Sequence, residues 1–197
     1  MENFLTVTVR STHYYLIDIP GGKFMVDTGW PGTLSELQAL LRRMGVYLEQ
    51  VRYFMITHNH LDHAGLAQAL KTTARARMVI HEAQVPCLEG QKGYEQPRLD
   101  PGDVLLVPDN RAALAKLGLA GQVIPTPGHS PDSVSLVLDS GLAFTGDLHP
   151  PDFEVGEARA QTLASWRALR QAGARSIYPA HGSPFGIERV SAALDEG

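Results

Sequence analysis

The chain has 197 residues, 44% hydrophobic and 19% charged, with a formal net charge of −4; this is the composition of a soluble globular protein with one sizeable core. The acidic balance excludes a general attraction to nucleic acid, and Lys71, Arg75 and Arg77, the nearest approach to a basic cluster, read as a solvated face. No stretch approaches the ~18 unbroken apolar residues of a membrane helix, MENFLTVTVR lacks a signal-peptide pattern, and the lone Cys87 reads as an inert thiol in a reducing, cytoplasmic compartment.

In chain order, residues 4–10 (FLTVTVR) and 13–19 (HYYLIDI) read as strands, and GGKFMVDTG adds a turn, a third strand and a glycine stop. A T-x-x-E box at Thr33 and Glu36 opens a helix whose apolar stripe is Leu34, Leu37, Leu40, Leu41 and Met44, ended by Gly45. Residues 51–57 (VRYFMIT) are almost continuously apolar, as a strand covered on both faces should be. A short helix near 65–71 and a strand near 77–80 follow. Residues 83–102 hold six prolines and glycines and read as a long loop, a lid or a substrate wall. Strands at 103–107 and 122–126 flank a weak helix, 133–147 is a hairpin turning at Asp139-Ser140-Gly141, and a helix near 157–172 faces Leu163, Trp166 and Leu169 inward. A strand at 176–179 and a helix at 186–196 close the chain. Alternating strands and helices in both halves predict a single layered α/β domain over 1–197, with helices outside two sheets.

The chemistry concentrates at 57–65, THNHLDHAG, where His58, His60, Asp62 and His63 fall within six residues of a chain that has eight histidines. His58 and His60, two apart in extended chain, project to one side and can grip one ion. Asp62 and His63 follow once the chain turns, and can serve a second. His129, Asp147 and His181 each follow another predicted strand, and strand ends of stacked sheets converge on one edge. Imidazole and carboxylate without thiolate suit zinc, with iron or manganese also compatible.

Asp27-Thr28-Gly29, THNHLDH at 57–63, PGHS at 127–130, TGD at 145–147 and PAHG at 179–182 together resemble the metallo-β-lactamase fold superfamily, over essentially the whole chain. The resemblance implies a four-layer αββα sandwich with two metals at one edge. His58, His60 and His129 would hold the first, Asp62, His63 and His181 the second, and Asp147 would bridge them. It also makes Asp27, which otherwise reads as a turn cap, a residue that orients the cluster through hydrogen bonds. The segment after His129 has Asp132 where many members have glycine, a place an aspartate fills by tolerating left-handed backbone.

The implied chemistry is hydrolysis of a small-molecule thioester, ester or lactone, amide or phosphodiester by a metal-bridging hydroxide, positioned by Asp62 and Asp147. The complete ligand set departs from the lactamases proper and matches glyoxalase II enzymes, although too little chain follows His181 for their C-terminal helical region. Lactonases of the family place a tyrosine soon after the bridging aspartate, where this chain has Leu148-His149-Pro150. His149 and Tyr94 are weaker candidates for substrate contact; His13 and Tyr14 are as well explained by packing, and His81 reads as solvent-facing. A rival of another class is a persulfide dioxygenase with one iron held by His58, His60, His129 and Asp147. A second is a di-iron electron carrier, which would favour Glu in the motif and a fused flavodoxin-like domain.

Overall fold

The computed structural model describes residues 3–88, 95–153 and 155–195. Strands β1 (Phe4–Val9), β2 (Thr12–Ile19), β3 (Gly22–Val26), β4 (Val51–Met55), β5 (Arg77–His81) and β6 (Val104–Leu106) form a six-stranded sheet in chain order. The first three pair antiparallel; β3 through β6 are parallel. Strands β7 (Gly121–Pro125), β8 (Val134–Leu138), β9 (Leu142–Gly146), β10 (Ser176–Pro179) and β11 (Phe185–Gly186) form the second sheet, in the order β11-β10-β9-β8-β7.

Period-2 side-chain alternation distributes the apolar residues over three cores. On β2, Tyr15, Ile17 and Ile19 point into the space between the sheets, where they meet Phe24, Met55, Val123, Leu136 and Phe144. Tyr14 and Leu16 point the other way, beneath α1 (Leu34–Arg43) and the helices α2 (Leu61–Ala64) and α3 (Ala67–Thr73). On the far side of the second sheet, Val137, Ala143 and Ile177 pack against Trp166, Leu169 and Leu194 of α5 (Gly156–Gln171) and α6 (Ser191–Asp195). The remaining helix, α4 (Arg111–Lys116), sends Leu114 into the middle core. The four layers are those expected.

Several local expectations are corrected. Thr33 makes no side-chain cap bond; its hydroxyl donates instead to the Trp30 carbonyl at 2.7 Å. The expected helix near 65–71 is α2 and α3, broken at Gly65 and Leu66. The expected helix at 186–196 is β11, a 3₁₀ turn over Ile187–Val190 and the short α6. Lys71 is not solvated: its ammonium is 2.8 Å from Asp100 and also bonds Asp103 and the Arg98 carbonyl. Arg75 and Arg77 are exposed as expected. His81 is buried beneath the 3₁₀ turn Glu82–Cys87, with Nδ1 accepting from the Ala83 amide at 3.2 Å, and burial lowers its pKa. Among the described residues, no helix is long and apolar enough to cross a membrane.

Candidate metal centre

All seven predicted donors meet at one rim of the sandwich, beyond the carboxyl ends of β4, β7, β9 and β10. Leaving β4, the chain bends through residues 57–60, with His60 itself extended (φ −95°, ψ 160°), then winds into α2. His58 and His60 therefore precede the turn, while Asp62 and His63 lie on it. His129 follows β7, Asp147 follows β9, and His181 follows β10.

The donor atoms form two groups sharing one carboxylate. In the first, His60 Nδ1 lies 2.9 Å from His58 Nε2 and 3.0 Å from His129 Nε2. In the second, Asp62 Oδ2 lies 3.4 Å from His63 Nε2 and 3.2 Å from His181 Nε2. Asp147 divides between them. Its Oδ2 faces His58 and His129 at 3.9 and 3.5 Å, and its Oδ1 faces His63 and His181 at 3.3 and 3.4 Å.

This donor set suits a divalent cation. A ring nitrogen carries one hydrogen or one lone pair, so His60 Nδ1 cannot satisfy both neighbouring imidazoles by hydrogen bonding. His63 Nε2 and Asp147 Oδ1 are buried and have no hydrogen-bond partner among the described residues, an arrangement that is costly unless an ion or a proton lies between such groups. The trios His58/His60/His129, His58/His63/Asp147 and Asp62/His63/His181 each bring their donors within 4.8 Å of one another.

Neighbouring polar groups aim these donors. Asp27, in the left-handed region at φ 61°, accepts from the Thr57 amide at 2.7 Å with Oδ1 and lies 2.9 Å from His63 Nδ1 with Oδ2. That bond puts the His63 proton on Nδ1 and turns Nε2 toward the carboxylates. Thr57 Oγ1 donates to Asp27 at 3.0 Å, leaving its lone pairs for His58 Nδ1 at 3.2 Å. The Ser11 carbonyl accepts from His181 Nδ1 at 2.9 Å, and the Thr12 hydroxyl donates to Asp62 Oδ2 at 2.9 Å. His13 flanks the same loop, its amide donating to the Ala180 carbonyl and its Nε2 meeting the Gly182 carbonyl. Asp27 thus supports the cluster rather than only a turn.

Asp132 also behaves differently from expectation. Its backbone is not left-handed. The carboxylate is buried and accepts from the Asn59 amide at 2.7 Å and the Ser130 hydroxyl at 2.8 Å. It thereby ties the residue between His58 and His60 to the segment that carries His129.

Electrostatics separate the two halves. Burial, with His63 close by, drives the His58 pKa well down, and burial lowers that of His129, so both are kept as neutral imidazoles. Burial opposes charge in the second group but is outweighed. The nearby imidazoles of His181 and His63, 3.2 to 3.4 Å away, hold Asp62 and Asp147 well below the usual carboxylate range. The same two carboxylates raise His181 to about 10. For His63, burial is overcome by Asp27, Asp147 and Asp62, which raise it well above its ordinary value.

A cleft of about 400 Å³ opens beside the second group, lined by Asp147, His149, Phe153, His181, Phe185 and Arg189 among others. His149 is exposed there, its ring 5.4 Å from that of His129. The described part of the 83–102 segment does not line this cleft; it is anchored behind the His60 turn, with Gln84 Nε2 donating to the Ile56 carbonyl and Asn59 Nδ2 to the Cys87 carbonyl. Tyr94 lies outside the described residues. Tyr14 is a core residue whose hydroxyl is kept protonated by burial and by the Asp27 and Asp62 charges. Sequence reasoning gave no role to Thr12, Thr57, Phe185 or Arg189. Thr12 is fifty residues from the carboxylate it bonds, and no local pattern signals such a pair.

Residues 7–181 match the model of the metallo-beta-lactamase superfamily, and the chain belongs to that family. It is 27% identical over 193 residues to the beta-lactamase-like protein 2 homolog of Caenorhabditis elegans, a match covering 96% of this chain and 61% of that protein. It is 26% identical over 201 residues to the atrochrysone carboxyl ACP thioesterase of Aspergillus terreus, covering 99% and 57%. The chain thus spans less than two thirds of the length of these curated relatives. The crystal structure of a metallo-beta-lactamase family protein from Thermus thermophilus superposes with a TM-score of 0.71 at 19% identity, covering 98% of this chain and 78% of that one.

Proposed function

We propose that this chain is a hydrolase working with two divalent ions, zinc being the simplest choice. His58, His60 and His129 would hold one ion, Asp62, His63 and His181 the other, and Asp147 both. The observation that carries this reading is the division of the Asp147 carboxylate, one oxygen facing each group. Membership of a metal-binding superfamily supports it; a relative named as a thioesterase supports thioesters as the first substrates to try, and one named as a lactonase supports lactones.

Bound at these positions, divalent ions activate water near neutral pH and polarise the substrate carbonyl. Hydrolysis then adds water across the acyl–sulfur bond to give an acid and a thiol. Asp62, steadied by Thr12, and Asp147 are the carboxylates placed to orient that water and take its proton. Asp27 and Thr57 hold His63 and His58 with their lone pairs turned inward. The cleft beside Asp147 takes the substrate.

Elemental analysis of protein purified without chelator or added metal tests this directly. About two zinc or manganese ions per chain, with thioester cleavage lost in Asp147→Ala and His58→Ala, is the expected outcome. About one iron per chain, with oxygen consumed in the presence of glutathione persulfide, overturns it in favour of sulfur oxidation.

A further inference from the structure

The cleft lined by Asp147 and His181 is lined also by Leu148, Phe153, Phe185 and Arg189. Among the described residues lining it, Arg189 is the one Lys or Arg. Its guanidinium carbon lies 5.0 Å from the centre of the Phe185 ring, and both residues have firm mounts. Val190, next in sequence, is 3% exposed within the third core, and Phe185 packs on Trp166 with ring centres 5.9 Å apart.

Arg111 and Arg170 pair with Asp139 and Asp195, but no carboxylate pairs with Arg189 among the described residues. The adjacent acid, Glu188, folds back against the backbone of Gly186, where a Cβ would overlap its carboxylate. The cleft thus combines the Asp147 carboxylate, apolar surface and a guanidinium that no described carboxylate neutralises.

We infer that Arg189 binds an anionic group of the substrate, a carboxylate or phosphate, separated from the scissile bond by an apolar spacer. The guanidinium fork matches either group through two parallel hydrogen bonds, and an aromatic face beneath it keeps the plane presented. The substrate is therefore a thioester or ester with a negatively charged end. The inference rests on the hydrolase reading above.

The test compares three thioesters: butyryl and succinyl N-acetylcysteamine, and butyryl phosphopantetheine. The second places a carboxylate on the acyl side and the third a phosphate on the leaving group. Wild-type protein should cleave at least one anionic thioester with the higher kcat/KM, and the one preferred identifies the anion's position. Arg189→Gln should lower the anionic-to-neutral ratio roughly ten- to hundredfold, and Arg189→Lys should recover part of it. A wild-type ratio near one, or a ratio unmoved in Arg189→Gln, overturns the assignment. Calorimetry with the uncleavable thioether analogues separates the two readings. Arg189-dependent binding without cleavage keeps the anion site and removes the hydrolase, whereas cleavage with no dependence on Arg189 does the reverse. Anionic analogues that bind no better than the neutral one, in wild type and variant alike, remove the anion site.

Discussion

Asp27 is the most constrained residue around the cluster. A non-glycine residue at φ 61° is uncommon, and here it directs one carboxylate at Thr57 and His63 together. Asp27→Asn keeps the size but removes the charge that holds the His63 Nδ1 proton, so metal should bind about ten- to hundredfold more weakly. A competitive chelator titration reads this, and unchanged affinity would sink the orienting role. His181 gives a second prediction. With its pKa raised to about 10, it is protonated at pH 7 and must lose that proton before Nε2 can ligate an ion. Metal uptake should therefore release protons, and apparent affinity should climb as pH rises from 7 toward 10. Calorimetry in buffers of differing ionisation enthalpy measures the release. In chelated protein the same shift works the other way: the raised pKa stabilises the fold fully below about 6.5, and that contribution is lost as pH rises through about 10. That the candidate donors converge was legible because four of them are packed into one short stretch. Of their helpers, Asp27 was legible only through the family resemblance, and Thr12 was not legible at all, lying fifty residues from the Asp62 carboxylate it bonds. His81 misled for a related reason: a polar residue ending a strand reads as exposed, and only the 3₁₀ turn folded over it shows otherwise.

At the scale of elements, the close approach of the two sheets depends on Gly146. It ends β9 at φ 57°, immediately before Asp147, and a Cβ placed there would meet the Thr57 Cβ at 2.7 Å, immediately before His58. Thr57 is buried and already bonded to Asp27, so it has little freedom to yield. Gly146→Ala should cost about 1–3 kcal/mol in a urea melt and also weaken metal binding, because it wedges apart the strand ends that carry His58 and Asp147. A variant with both properties intact would contradict this account of the rim. Strands were well read from sequence because their alternating or continuous apolar character reflects burial on one or two faces. The short elements were not. β11 has two residues, too few for any periodicity, and Thr33 spends its hydroxyl on Trp30 instead of a helix amide.

Across the whole molecule, the candidate ligands come from both sheets: His58, His60, Asp62 and His63 from the first, His129, Asp147 and His181 from the second. A bound ion would pin one sheet to the other at a single rim. Chelation should accordingly lower the melting temperature, and readdition of metal should restore it, the stabilisation reaching about 2.7 kcal/mol at a free concentration a hundredfold above Kd. A melting temperature indifferent to chelator would show that the rim holds itself together unaided. The four-layer plan was readable from the order of strands and helices. The cleft was not, because Phe153 comes from the turn after β9, Phe185 from β11 and Arg189 from the turn after it, which only the folded chain brings side by side.

The shared Asp147 carboxylate carries a consequence for how two ions would be acquired. An ion on one side fixes the carboxylate plane, which favours the second, but also withdraws charge from it, which disfavours the second. Whatever the balance, thermodynamic reciprocity requires that each ion alter the other's affinity by the same factor. Asp147→Ala should therefore do more than weaken both: it should make two interdependent sites fill as strangers.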